Sequence, residues 1–130
     1  MMDKTAYWLD IADYDFATAI DLQKSKRWLY VAFMCHQTLE KGLKAYWCAT
    51  QPDDPPYTHN LLTLVTGSNL AQDLSAEQRE FIQEMMPLNI EARYPEYKEN
   101  LLKQLSPTRC QNIIDNTKTF YLWIKSKLLK

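Results

Sequence analysis

The sequence predicts an all-α fold, an up-and-down bundle of four to five helices. Apolar residues recur at spacings of three and four over three long stretches, the period of an α-helix. The only glycines are Gly42 and Gly67, and six prolines fall at a few places, so the intervening runs are free of helix breakers. No stretch carries the bounded alternation of a strand.

The first helix is expected from about Lys4 to Gln23. Trp8, Ile11, Ala12, Asp15, Ala19 and Leu22 form its inward stripe, and Asp15 on that stripe needs a partner if buried. The second helix, about Arg27 to Thr50, carries Trp28, Ala32, Cys35, Leu39, Leu43 and Tyr46 on one face. Val31, Phe33, Met34 and Trp47 widen that face, which predicts a central position. Gln51-Pro52-Asp53-Asp54-Pro55-Pro56 reads as a loop, because proline lacks the amide a helix needs.

Thr58 is expected to cap a short third helix with Leu61, Leu62, Leu64 and Val65 inward, ended by Gly67-Ser68-Asn69. Ser75-Ala76-Glu77-Gln78 has the pattern of a capping box and should start a fourth helix. Pro87 and Pro95 restrict Leu88 to Tyr94 to a helical turn or an irregular stretch. Ser106-Pro107 places a capping serine before a proline at the first helical position. A last helix follows, with Cys110, Ile113, Ile114, Thr117, Phe120, Tyr121, Ile124 and Leu128 on its stripe and lysines at its end.

A chain of 130 residues, 46% hydrophobic and 24% charged, fits one domain with one core. The net charge of −1 gives no global basic signature for nucleic acid, although basic residues cluster locally at Lys24, Lys26 and Arg27, at Lys41 and Lys44, and at Lys118, Lys125, Lys127 and Lys130. Three cysteines without tight spacing speak against a disulfide framework or a zinc site. No apolar run approaches a membrane span and the first residues lack a signal-peptide core, so the expected location is the cytoplasm, with no membrane partner.

Two polar constellations stand out. His36, Glu40 and Lys44 line up along the second helix, flanked by Gln37 and Lys41. They form either the wall of a groove, in which the lysines meet phosphate, or a solvated face with Glu–Lys pairs one turn apart. His59 precedes Asn60 near the start of the third helix, where an anion could bind. With only two histidines, no metal site is expected and no cofactor is implied. The stretch Asn89 to Lys98 packs Arg93, Tyr94 and Tyr97 around Pro95. Arg93 could clamp a phosphate with tyrosines stacking on bases, or pair with Glu91, Glu96 or Asp15 and hold the loop down. Cys35 beside His36 does not make a nucleophile pair, since helix neighbours point different ways.

Together these residues resemble the HEPN family, the higher-eukaryote and prokaryote nucleotide-binding domain. Trp8, Ala12, Asp15 and Ala19 resemble its first-helix pattern. Phe33 to Ala45, with Gln37, Glu40, Lys41 and Lys44, resembles its second-helix signature. Thr58-His59-Asn60-Leu61 is similar to its Thr-His-Asp-Leu element, with asparagine for aspartate, and Ile90 to Pro95 to its Arg-Tyr-Pro element. The resemblance implies a helical bundle, usually a homodimer, often paired with a minimal nucleotidyltransferase as toxin and antitoxin. It implies a nucleotide or RNA ligand met by Lys44, Glu40, His59 and Tyr94. The ribonuclease branch of the family carries a histidine four to six residues after its arginine. Arg93 matches that arginine, but Tyr97, Lys98 and Glu99 follow and no histidine does. A binding module is therefore expected first. A metal-independent ribonuclease using Arg93 with Tyr97 or His59 is the alternative, and a purely structural dimeric adaptor is the third.

Overall fold

Helix α1 (Lys4–Lys24) and helix α2 (Trp28–Thr50) form an antiparallel pair and make the most extensive contact in the molecule. A computed structural model describes residues 3–89 and 95–129. After α2 come α3 (Leu61–Gly67), a 3-10 turn at Ala71–Asp73, α4 (Ala76–Met85) and a second 3-10 turn at Met86–Leu88. Helices α5 (Pro95–Gln104) and α6 (Pro107–Leu128) complete the chain. The all-α bundle expected from the sequence is the observed architecture. It has six α-helices among the described residues rather than four to five, because Pro95 opens a ten-residue helix instead of merely limiting the preceding stretch. Proline is well suited to that first-turn position, having no amide to leave unpaired.

The helix ends follow local chemistry. Asp3, Ser75 and Ser106 accept from amides two or three residues on, and Ser75 with Gln78 forms the full reciprocal box. The cap of α3 is Asn60, whose side chain accepts from the Thr63 amide at 3.1 Å, and not Thr58. Thr58 instead takes the Asn60 amide at 3.0 Å, so the helix starts later than the sequence suggests. Asparagine caps a helix as well as aspartate does, which accounts for the exchange in the Thr-His-Asn-Leu element.

Helix α2 is central, as its broad apolar face predicts. Val31, Ala32, Cys35, Leu39 and Leu43 are buried in one cluster with Ala19 of α1 and Ile113, Ile114, Phe120 and Ile124 of α6. Helices α2 and α6 run parallel: Cys110 near the start of α6 donates to the Trp28 carbonyl at the start of α2, and Tyr121 and Ile124 pack on Gly42 further along. Helix α1 runs against both. Tyr121 Oη has one hydrogen, given to Asp13 Oδ1 at 2.6 Å with the Leu9 carbonyl as a second acceptor at 3.1 Å, which ties the far end of α6 to the near end of α1.

The loop after α2 returns over that helix and is fastened there. Trp47 Nε1 donates to the Asp53 carbonyl at 3.0 Å, and Lys4 Nζ meets Asp54 Oδ1 at 2.6 Å. The Trp47 ring lies over Gly67, where an added Cβ would come within 2.3 Å of it. These fastenings deliver the segment Tyr57 to Asn60 to the middle of α2.

Candidate functional site

Glu40 is the hub. It lies on α2 with no solvent exposure, and a buried carboxylate must find donors for its oxygens. Oε2 accepts from Lys44 Nζ at 3.1 Å and Lys41 Nζ at 3.0 Å. Lys44 stands one helical turn on, and Lys41 curls back from the next position. Oε1 lies 2.9 Å from His59 Nδ1. An ionised carboxylate only accepts, so His59 Nδ1 carries a hydrogen; Nε2 then holds a lone pair in the neutral ring and a second N–H in the protonated one. Burial pushes the Glu40 carboxyl up, but Lys41, His59 and Lys44 outweigh it and hold the group below the usual carboxylate range.

Trp8 of α1 covers the two ammonium groups, its ring centroid 5.2 Å from Lys44 Nζ and 5.7 Å from Lys41 Nζ. An indole face attracts cations in this geometry, so one aromatic ring and one carboxylate hold both lysines. Solvent reaches the members unequally. The side chain of Lys44 is 8% exposed, that of Lys41 18% and that of His59 50%. The water-facing rim is therefore His59 and Lys41, with Lys44 behind them and Glu40 as the buried counter-charge. Two ammonium groups face the Glu40 carboxylate, and the Asp15 carboxyl of α1 is close enough to feel both Glu40 and Lys41.

Two further titratable groups lie beside the cluster. His36 is fully buried, and among the described residues neither ring nitrogen has a hydrogen-bond partner. Its Nδ1 is 3.9 Å from Glu40 Oε1, too far for a hydrogen bond. Burial pushes the imidazole down to about 4, helped by His59 and Lys41 and opposed by Glu40. Asp15, half-buried on α1, has its carboxyl raised by burial and by Glu40, against the pull of Lys41. Cys35 is a core thiol pushed up to about 12 by burial, which suits packing and not nucleophilic attack.

The sequence-derived set thus divides. Glu40, Lys44 and His59 meet at one point, although nothing in their spacing tied His59 to the other two. Arg93 and Tyr94 lie outside the described residues, as does the side chain of Tyr97, whose backbone belongs to α5. One contributor, Trp8, looked like an ordinary member of an apolar stripe. A second aromatic residue, Tyr57, stands two positions before His59. Tyr57 is fully exposed, at the centre of a tight turn closed by the Thr58 amide and the Pro56 carbonyl at 2.9 Å. The signal was present in Pro55-Pro56, which stiffens the chain ahead of it. Among the described residues no His, Cys, Asp or Glu cluster is arranged to hold a metal, and no helix is long and apolar enough to cross a membrane.

Comparison with curated proteins yields no match. Among solved structures, the crystal structure of TT1696 from Thermus thermophilus aligns over 97% of this chain and 99% of that one, with a TM-score of 0.82 at 17% identity. At that identity the likeness is one of fold. The family profile described as HEPN domain matches residues 5–127, nearly the whole chain. With that span matched, the protein belongs to the HEPN family.

Proposed function

We propose that this chain is a single HEPN module that binds the phosphate of a nucleotide or RNA at the rim formed by His59 and Lys41, with Lys44 behind them. The observation that carries the reading is the shared anchoring of both lysines and His59 on Glu40. A buried carboxylate fixes three donors, and the Trp8 ring steadies the ammonium groups from outside. Donors fixed in advance meet an anion without a further ordering cost, which is how preorganised sites gain affinity. Tyr57, two residues before His59 and fully exposed, supplies a ring on which a base can stack. Arg93 adds a guanidinium to the same ligand, with Tyr94 beside it. The module acts as a cytoplasmic homodimer paired with a nucleotidyltransferase, in a toxin–antitoxin arrangement.

Titration calorimetry with a nucleoside monophosphate and with a short oligoribonucleotide tests this. Lys41→Gln and Arg93→Ala should each weaken binding about tenfold, the scale of one charge-assisted hydrogen bond. Equal binding by all three proteins, or none by any, overturns the assignment.

One observation favours a second reading, metal-independent RNA cleavage. Glu40 holds His59 in the tautomer that leaves Nε2 free as a base, in a side chain half open to solvent. In this reading His59 moves the proton and Arg93 faces the phosphate, with Tyr97 assisting. RNA left intact by the wild type in the presence of a chelator removes it.

A further inference from the structure

The turn between α1 and α2 breaks two local rules at neighbouring positions, and both times the residue is a cation. Lys26 has a backbone φ of 62°, the left-handed region that glycine and asparagine occupy most readily. The equivalent position after α3 holds Asn69, at φ 64°. Both ends close with the same pair of bonds: the Lys26 amide to the Gln23 carbonyl and the Arg27 amide to Leu22, and the Asn69 amide to Thr66 and the Leu70 amide to Val65. Arg27 then occupies the cap position of α2, where serine, aspartate or asparagine satisfies a free amide, and makes no side-chain cap. The other described N-caps of α-helices, at Asp3, Asn60, Ser75 and Ser106, use those residue types, while the two 3-10 turns start at Leu70 and Met85 with no side-chain cap.

Charge at this end is unbalanced. Lys24, Lys26 and Arg27 are exposed, and among the described residues none forms an ion pair. Asp21 is the only acidic residue between positions 21 and 30. Because α2 and α6 are parallel, the start of α6 lies at this same end, with Gln111 bonded to Gln23 and Cys110 to the Trp28 carbonyl. Arg109 is therefore a fourth cation at this end, held only loosely by Glu84 at 3.8 Å. Tyr30, on the first turn of α2, is half exposed beside Arg27. A row of cations spread over the end of a bundle suits a chain of phosphates better than a single one, and an open phenol ring suits an unpaired base.

We infer that the α1–α2 turn, with Lys24, Lys26, Arg27, Arg109 and Tyr30, is a docking surface for the backbone of a single-stranded nucleic acid. Local stability favours other residues at positions 26 and 27, and cations there are explained by an anionic partner. The surface is made by residues other than those around Glu40 and stands or falls independently of the reading given for that site.

The test uses a variant that removes charge while following the local rules. Lys24→Gln, Lys26→Gly and Arg27→Asp combined delete three cations, place glycine at the left-handed position and give α2 a capping carboxylate. Fluorescence anisotropy of a labelled single-stranded oligoribonucleotide is read across a salt series. The triple variant should bind at least about tenfold more weakly, with a log–log salt slope smaller by about 2, the share of three released counterions. Thermal melting should show the variant at least as stable as the wild type, since two of its three substitutions follow the local rules. Lys41→Gln serves as a control for the Glu40 site: the triple substitution should weaken binding by the same factor in its background as in the wild type. Unchanged affinity and slope in the triple variant overturn the inference. So does binding of the wild type to phosphatidylserine vesicles with none to the oligonucleotide, which would make the surface a membrane contact.

Discussion

His59 Nδ1 lies 2.9 Å from Glu40 Oε1 although 19 residues separate them, and only the histidine is reached by solvent. One residue supplies buried charge and the other presents its consequence at the surface. The arrangement makes Glu40 costly to remove. Glu40→Ala should destabilise the fold by about 3–5 kcal/mol, the scale for leaving a partner of a buried pair uncompensated, here Lys44. Urea denaturation followed by circular dichroism measures this, and a loss below about 1 kcal/mol would show the lysines escaping to water.

His36 predicts a pH dependence. Its folded value of about 4 lies below the unfolded value of 6.5, so the unfolded chain binds the extra proton first. Stability is then fully present above the unfolded value and falls as pH drops from about 6.5 to about 4, by on the order of 3 kcal/mol. Glu40, held low, adds a loss at still lower pH as it protonates. In His36→Leu the decline between those two values should disappear while the lower one stays. Melting temperatures over that range decide it, and an unchanged profile would assign the decline elsewhere.

Gly67 has no room for a side chain. The Trp47 ring atoms would stand 2.3 and 2.5 Å from an added Cβ, and the same ring holds the loop through Asp53. Gly67→Ala should therefore cost about 1–3 kcal/mol, the range for overpacking. It should also shift tryptophan fluorescence as the indole leaves its site. At Gly42 the nearest contact is the Tyr121 ring at 3.0 Å, so Gly42→Ala should cost less.

Tyr121 ties α6 to α1. Burial pushes its phenol up, as do the hydrogen bond to Asp13 and that carboxylate's charge. Tyr121→Phe removes both bonds of the hydroxyl and should destabilise by about 1–3 kcal/mol. Lys125, 2.9 Å from Asp13, keeps the carboxylate paired and sets the lower end of that range. Hydrogen exchange of the first turns of α1 would locate the loss.

The turn at Lys26 and Arg27 predicts two gains. Lys26→Gly relieves the left-handed backbone, and Arg27→Asp supplies the missing cap. Each should stabilise by about 0.5–2 kcal/mol. Thermal melting of the single variants checks this, and a loss of stability in either would show that the cation is structural.

The helices were legible because their information is local. Period, caps at Ser75 and Ser106 and the prolines fix where helical segments start and stop, and these depend on residues a few positions apart. The order of motifs carried the family for the same reason. Helix α5 was missed because an opening proline and a breaking proline look alike until the chain beyond them is folded. Along α2 the line His36, Glu40, Lys44 was visible as spacing, but a buried hub and a solvated stripe have the same spacing. Only the packing of Trp8 from α1 and the return of the loop bearing His59 place Glu40 out of water and give its oxygens three donors. Burial and long-range pairing depend on which surfaces meet, and those are properties of the whole chain.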